Sequence, residues 1–347
     1  MKKVLCTVAA VLMLFTVASV TSFAAEQKTY TFKISIDTTP NHHRTMGLFE
    51  FVKILKEVSK GRVEAQLFDS GSLYKDKDVP KALALGTLDM GVPGSWQLEA
   101  IEPDVALISL PMFSGRDASV LLGMVDGDFG ALINKKLEKK LKVKMLPGYL
   151  GHGPDILWSR TKPLKQLKDF QGMKLRHRGG YVFSMGLKAL GANPIVIAFT
   201  DVPMSLVQGT IDGLATTKKS FESMKFWETG TKYAFDFDMI NGFYLGMINE
   251  KYWNSLPADV QEIILTAWKK TVPIQRNIAK REFENAEKVV KEKGVSIYYP
   301  SQKQKEEFRK ILVASQDEMV KASKIDKALY LSVKERMDAM DKAESKK

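Results

Sequence analysis

Polar and apolar residues alternate along residues 30–36 (YTFKISI), a β-branched run that predicts a strand. Apolar positions then recur at Leu48, Val52, Leu55 and Val58, one face of a helix that Gly61 closes. A second β-prone run covers Val63–Phe68 (VEAQLF). Strand, helix and strand at these separations predict parallel strands joined by right-handed crossovers. Further along, the pattern predicts helices over 117–141, 181–190 and 220–229, and strands over 143–146, 156–159, 173–176 and 243–248. From Leu256 to Lys293 the helical period runs without a stop. About 36 helical residues would span roughly 54 Å, more than one small domain, with a kink expected at Pro273. Ser301-Gln302-Lys303-Gln304 is a capping-box signature for a following helix, and the tail beyond it is helical and charged.

Two stretches repeat each other. Residues 78–89 read DVPKALALGTLD and residues 201–212 read DVPMSLVQGTID, with seven of twelve positions identical and no gap. Apolar runs precede each copy, at 63–68 and 194–199, and follow each, at 90–93 and 214–217. Each copy therefore reads as strand, Asp N-cap, short helix with an early proline, glycine stop, strand. The spacing is too long for a solenoid. It predicts two α/β lobes built alike, with a ligand cleft between them. Residues 148–154 (GYLGHGP), rich in glycine, read as the crossover between lobes, and 235–242 as a second hinge. The expected division is 26–150 plus 241–280 for the first lobe and 151–240 plus 281–347 for the second, with the long helix bracing both.

Composition narrows the setting. The chain of 347 residues opens with Lys2 and Lys3, an apolar stretch from Val8 to Val20, and Ser22-Phe23-Ala24. This is the pattern of a secretory signal over 1–25, with cleavage expected after Ala24 or Ala25 and a periplasmic destination. The single cysteine, Cys6, lies inside that stretch, so the expected mature chain has no disulfide, thiolate nucleophile or cysteine metal site. Net charge is +12, spread along helices rather than clustered, which favours anionic solutes or an acidic partner surface over nucleic acid.

No catalytic motif is present: no nucleophile elbow, no zinc-protease helix and no phosphate-binding loop. The four histidines, His42, His43, His152 and His177, are not at metal-ligand spacing on a helix, and no metal or cofactor is expected. His42 and His43, as neighbours, are expected to point apart. The informative cluster is Lys174-Leu175-Arg176-His177-Arg178-Gly179-Gly180, leading into the helix at Tyr181. Guanidinium forks beside free helical N–H groups suit a carboxylate. Trp96, beyond the strand after the first repeat copy, is a cleft candidate because ligands of α/β sheets sit past strand carboxyl ends. Asp37, opening the loop after the first strand, is another.

In order along the chain, the blocks GMKLRHR (172–178), LGANP (190–194), DVPMSLVQGTIDG (201–213), KFWE (225–228) and WNSLP (253–257) resemble the solute-binding proteins of tripartite ATP-independent periplasmic (TRAP) transporters, of the dicarboxylate-binding type. The similarity covers nearly the whole mature chain. It implies two α/β lobes, two hinge crossovers and a long helix beneath both. It further implies a small organic acid trapped between the lobes and handed to small and large membrane subunits, with no catalysis. By position Arg176 would bind the carboxylate, with Arg178 as the alternative. Thr216, Thr217 and Trp96 would line the rest of the pocket. The chain departs from relatives at 153–158 (GPDILW), where a second arginine is expected, and at 93–96 (PGSW) and 214–218 (LATTK). Fewer polar groups and more aromatics (Trp96, Trp158, Tyr181, Phe221) suggest a monocarboxylate with an apolar or aromatic body. A binding protein of an ATP-driven transporter or a sensor would share the fold, but the long helix and the 172–178 block favour the TRAP reading.

Overall fold

The structure is a computed structural model that describes residues 28–237, 239 and 241–344. The expected signal over 1–25 lies outside the described residues.

Two sheets organise the chain. The first runs in the order Val63–Phe68, Tyr30–Ser35, Met90–Gly91, Met247–Asn249, Val143–Met145. Its first three strands are parallel, with Tyr30 opposite Val63 and Ser35 opposite Phe68, and the last two join antiparallel. The second runs Ser296–Tyr298, Tyr233–Phe235, Ile156–Ser159, Gly213–Thr216, Lys174–His177, Asn193–Val196. Here too a parallel trio, 193–196, 174–177 and 213–216, meets an antiparallel neighbour at 156–159.

The repeat lies at matching places in the two sheets. In each, the strand before the copy is at the outer edge of the trio and the strand after it is third. Pro80 and Pro203 sit in the first turn of the short helices Val79–Leu85 and Val202–Val207. Gly86 at φ +72° and Gly209 at φ +69° supply the left-handed stop. The expected aspartate caps do not form. Asp78 and Asp201 end single 3₁₀ turns, with φ −94° and −95°, and neither side chain caps the helix. The aspartate that closes each copy has the structural task instead. Asp89 accepts the N–H of Lys33 at 2.9 Å, and Asp212 accepts that of Lys174 at 2.8 Å. Each ties its copy to the middle strand of its own trio.

Several predicted elements are shorter than their patterns. Residues 117–141 form two helices, Ala118–Val125 and Asp128–Leu141, separated at Gly127. The run 243–248 splits, because Phe243–Tyr244 pairs with Leu150–Gly151 in a two-stranded ribbon while Met247–Asn249 enters the first sheet. The helix expected over 220–229 is Lys218–Ser223, followed by a 3₁₀ turn after Lys225 at φ +50°.

The long helix is Ala258–Glu292, 35 residues with Pro273 inside it. Val260, Ile264, Ala267 and Trp268 pack into the core beneath the first sheet, where Trp268 meets Phe51 edge-on at 5.5 Å. Val290 packs into the core of the second. Between them, Gln275 grips the crossover: its Oε1 accepts the Gly151 N–H at 2.8 Å and its Nε2 donates to Gly151 O at 3.0 Å. Gly153, at φ +88°, admits the Phe283 ring, which a Cβ would meet at 2.0 Å. In the C-terminal tail, Met319, Val320, Tyr330 and Met337 share a buried cluster with Leu107, Leu121 and Ile133 of the first lobe and with Val182 of the second. Among the described residues no helix is long and apolar enough to cross a membrane.

Candidate ligand-binding cleft

The parallel strands of both sheets direct their carboxyl ends at one gap. Asp37 follows the strand Tyr30–Ser35, and Trp96 follows Met90–Gly91. Arg176 and Arg178 come from the end of Lys174–His177, Phe199 from beyond Asn193–Val196, and Thr216 from the end of Gly213–Thr216. With Arg44, Asp76, His152 and Tyr244 they enclose a cavity of about 60 Å³. That is the volume of about two waters in the liquid. Contacts across the gap hold the lobes together. Lys75 Nζ lies 2.8 Å from both carboxylate oxygens of Asp201, and Gln97 Nε2 donates to Arg178 O at 3.4 Å.

Three buried guanidiniums reach this cavity, and their partners differ. Arg44 Nη1 donates to Asp37 Oδ1 and Nη2 to Asp76 Oδ1, both at 2.9 Å, with Val92 O also accepting. Its guanidinium lies over the Tyr244 ring at 4.3 Å. Arg178 pairs with Asp155, whose side chain is fully buried, and stacks on Trp96 at 4.1 Å. Arg176 is 2% exposed and forms no ion pair among the described residues. Its Nε donates to Ile197 O at 2.9 Å, and its plane is over Phe199 at 5.9 Å. Its two terminal nitrogens have no protein acceptor among the described residues. Burial pulls Arg176 down to about 10, against the weaker opposing fields of Asp37 and Asp76. Asp37 is raised to about 6 by burial and by Asp76, which Arg44 and Arg176 partly offset.

The histidines at the cleft are neutral, and the exposed Lys77 also lines the cavity. His152 is held well below its ordinary range by burial and by Arg178. Its Nδ1 lies 3.0 Å from Gly153 O, which only accepts, so the proton is on Nδ1 and Nε2 is an acceptor. His42 Nδ1 accepts the Arg44 N–H at 3.1 Å, leaving Nε2–H to donate to Ser220 Oγ at 3.0 Å across the lobes. The expectation that His42 and His43 point apart fails: their rings lie side by side, 4.2 Å between centroids, because His43 turns to accept from Gln275.

The structure brings together five of the sequence candidates, Asp37, Trp96, Arg176, Arg178 and Thr216. It places three elsewhere. Thr217 is the N-cap of the helix Lys218–Ser223, its Oγ1 accepting the Ser220 N–H at 3.0 Å. Trp158 and Phe221 stack on each other at 3.7 Å in the second lobe's core, both fully buried. The helix N-terminus at Tyr181, read as an anion site for the ligand, is occupied from the opposite lobe. Glu99 Oε2 accepts the Tyr181 N–H at 2.7 Å. Burial raises that carboxyl to about 7. Arg44, Asp76, His152 and Tyr244 escaped sequence reasoning. Position past a strand end was the available signal for Asp76, and nothing in the helix pattern marks Arg44.

Residues 34–323 match the DctP family, the bacterial extracellular solute-binding proteins of family 7. The chain belongs to this family. This family-7 receptor is 28% identical over 292 residues to the C4-dicarboxylate-binding periplasmic protein DctP of Rhodobacter capsulatus, covering 83% of this chain and 85% of that one. Among solved structures it is similar to a TRAP periplasmic solute-binding protein of Sulfurospirillum deleyianum with bound succinate, at TM-score 0.82 and 28% identity, covering 88% and 99%. It shares the fold of the sugar-acid-binding protein of Advenella mimigardefordensis in complex with galactonate, at TM-score 0.84 and 23% identity over 91% and 99%. The two-lobed α/β fold, the role of solute receptor and the absence of an enzymatic function follow from the family.

Proposed function

We propose that this receptor captures a short monocarboxylate between its lobes, with Arg176 holding the carboxylate, and passes it to the small and large membrane subunits of a TRAP transporter. One observation carries the reading. Of three guanidiniums at the cavity, two are matched by aspartates of the chain and Arg176 is not. A buried cation with two free donors on one edge suits one carboxylate in a bidentate pair. Asp155 stands in the stretch where relatives were expected to carry a second arginine, and it neutralises Arg178. Among the buried guanidiniums a second carboxylate would therefore find no unmatched partner, and the further cation on the lining, Lys77, is exposed to solvent. The relative from Rhodobacter capsulatus is named for C4-dicarboxylates and the structure from Sulfurospirillum deleyianum holds succinate. The charge inventory and the small cavity favour a shorter, singly charged acid here. An aromatic body loses support as well, since Trp158 and Phe221 belong to the core.

The test is a thermal-shift and calorimetric panel of C2 to C6 mono- and dicarboxylates on the mature protein. Native mass spectrometry would run in parallel to identify any co-purified acid. A short monocarboxylate should give the largest shift. A stronger response to succinate or malate would overturn the single-carboxylate reading, and silence to every acid would overturn the receptor reading itself.

A further inference from the structure

We propose that the captured acid carries a hydroxyl group close to its carboxylate, and that Asp37 is the residue that selects for it. The inference rests on the monocarboxylate reading above and adds a ligand class. Three aspartates approach the cleft. Asp155 belongs to Arg178. Asp76 has both oxygens engaged, Oδ1 by Arg44 and Oδ2 by the Gly94 N–H at 3.3 Å. Asp37 accepts from Arg44 through Oδ1, and apart from its own backbone N–H no other described residue donates to its carboxylate. His152 brings a second acceptor, the Nε2 lone pair fixed by the Nδ1–Gly153 contact. Both residues line the cavity.

The wall thus presents one guanidinium edge for an anion and two acceptors that the protein does not match. Carboxylate and keto oxygens only accept, so a simple fatty acid, a keto acid or a dicarboxylate leaves both acceptors unmatched. A second carboxylate would also face Asp37 as a like charge. A hydroxyl resolves this. It donates to Asp37 or His152 while its own lone pairs remain open to Tyr244, whose hydroxyl has no protein partner among the described residues. An ammonium fits less well, since it brings three donors to two acceptors and sits among three guanidiniums. The cavity of about 60 Å³ favours a short acid.

The experiment compares lactate with propionate, which share a carbon skeleton and differ by the hydroxyl, beside pyruvate and alanine, by isothermal titration calorimetry at pH 7.5. Lactate should bind about ten- to a hundredfold tighter than propionate, the range for a hydrogen bond to a charged acceptor. Asp37→Asn should shrink that ratio to below about threefold; read as a ratio, a general loss of affinity cancels. Propionate or pyruvate binding as tightly as lactate, or an unchanged ratio in Asp37→Asn, would overturn the hydroxyl assignment, and so would alanine binding tightest. Failure of every acid would instead strike the receptor reading, so the two are told apart.

Discussion

Replacing Arg176 by methionine should separate binding from stability. The guanidinium is 2% exposed, held by a bond from Nε to Ile197 O, and without an anionic partner among the described residues. Burial lowers it to about 10, equivalent to roughly 3 kcal/mol of solvation that the protein does not return. A carboxylate on its two terminal nitrogens returns it. Loss of a desolvated charge pair costs about 2–5 kcal/mol, so Kd for the preferred acid should rise about thirtyfold to several thousandfold. The ligand-free protein should respond in the opposite sense. Methionine keeps much of the side-chain volume and removes an unmatched buried charge, so the urea midpoint should stay or rise. Titration followed by the fluorescence of Trp96, which lines the cleft, reads the first effect, and equilibrium unfolding without ligand reads the second. An affinity within about threefold of wild type would refute the assignment. A variant that lost binding and stability together would mark Arg176 as a structural cation instead.

Arg178→Met should behave differently, because it strands Asp155 in the core without its counterion. A loss of about 3–5 kcal/mol in chemical unfolding is expected, and a stable Arg178→Met protein would show that the pair is dispensable. Glu99 gives a pH signature. Its folded pKa of about 7 lies above the ordinary 4.5, so its contribution is complete below pH 4.5 and is lost as pH rises through 7. Glu99→Gln, which keeps an acceptor for the Tyr181 N–H, should match wild type near pH 4.5 and exceed it by up to about 3 kcal/mol at pH 8. A difference that does not change with pH would remove burial of the charge as its cause.

What the sequence disclosed follows from what local patterns encode. The repeat was legible because the early proline and the glycine stop answer to local backbone geometry, and both copies keep them. The roles of its aspartates were not, because Asp89 and Asp212 bond to strands 56 and 38 residues away, a separation no local pattern reports. The cluster 174–180 was legible because it lies at a strand end beside glycines, and the choice of Arg176 within it came from the family resemblance. Which arginine was uncommitted could not be read, since Asp155 sits in another strand and meets Arg178 only in three dimensions. Trp158 was misplaced for a related reason. Its strand is interior and buried along all four residues, so no alternation distinguishes the face toward the cleft from the face toward Phe221. That the tail meets residues of both lobes was not legible, because an amphipathic helix shows that it packs, not against what.

The placement of Met247–Asn249 within the first sheet has a kinetic meaning. The strand Val143–Met145 has it as its sole sheet neighbour, and it stands between 143–145 and the parallel trio. Until residue 249 has been synthesised, the first lobe is a half-built sheet with an orphan strand, and residues 151–240 of the second lobe must be looped out before the gap closes. Contacts of such long sequence separation slow folding. A nascent chain of this design cannot complete its first sheet until most of it has been made.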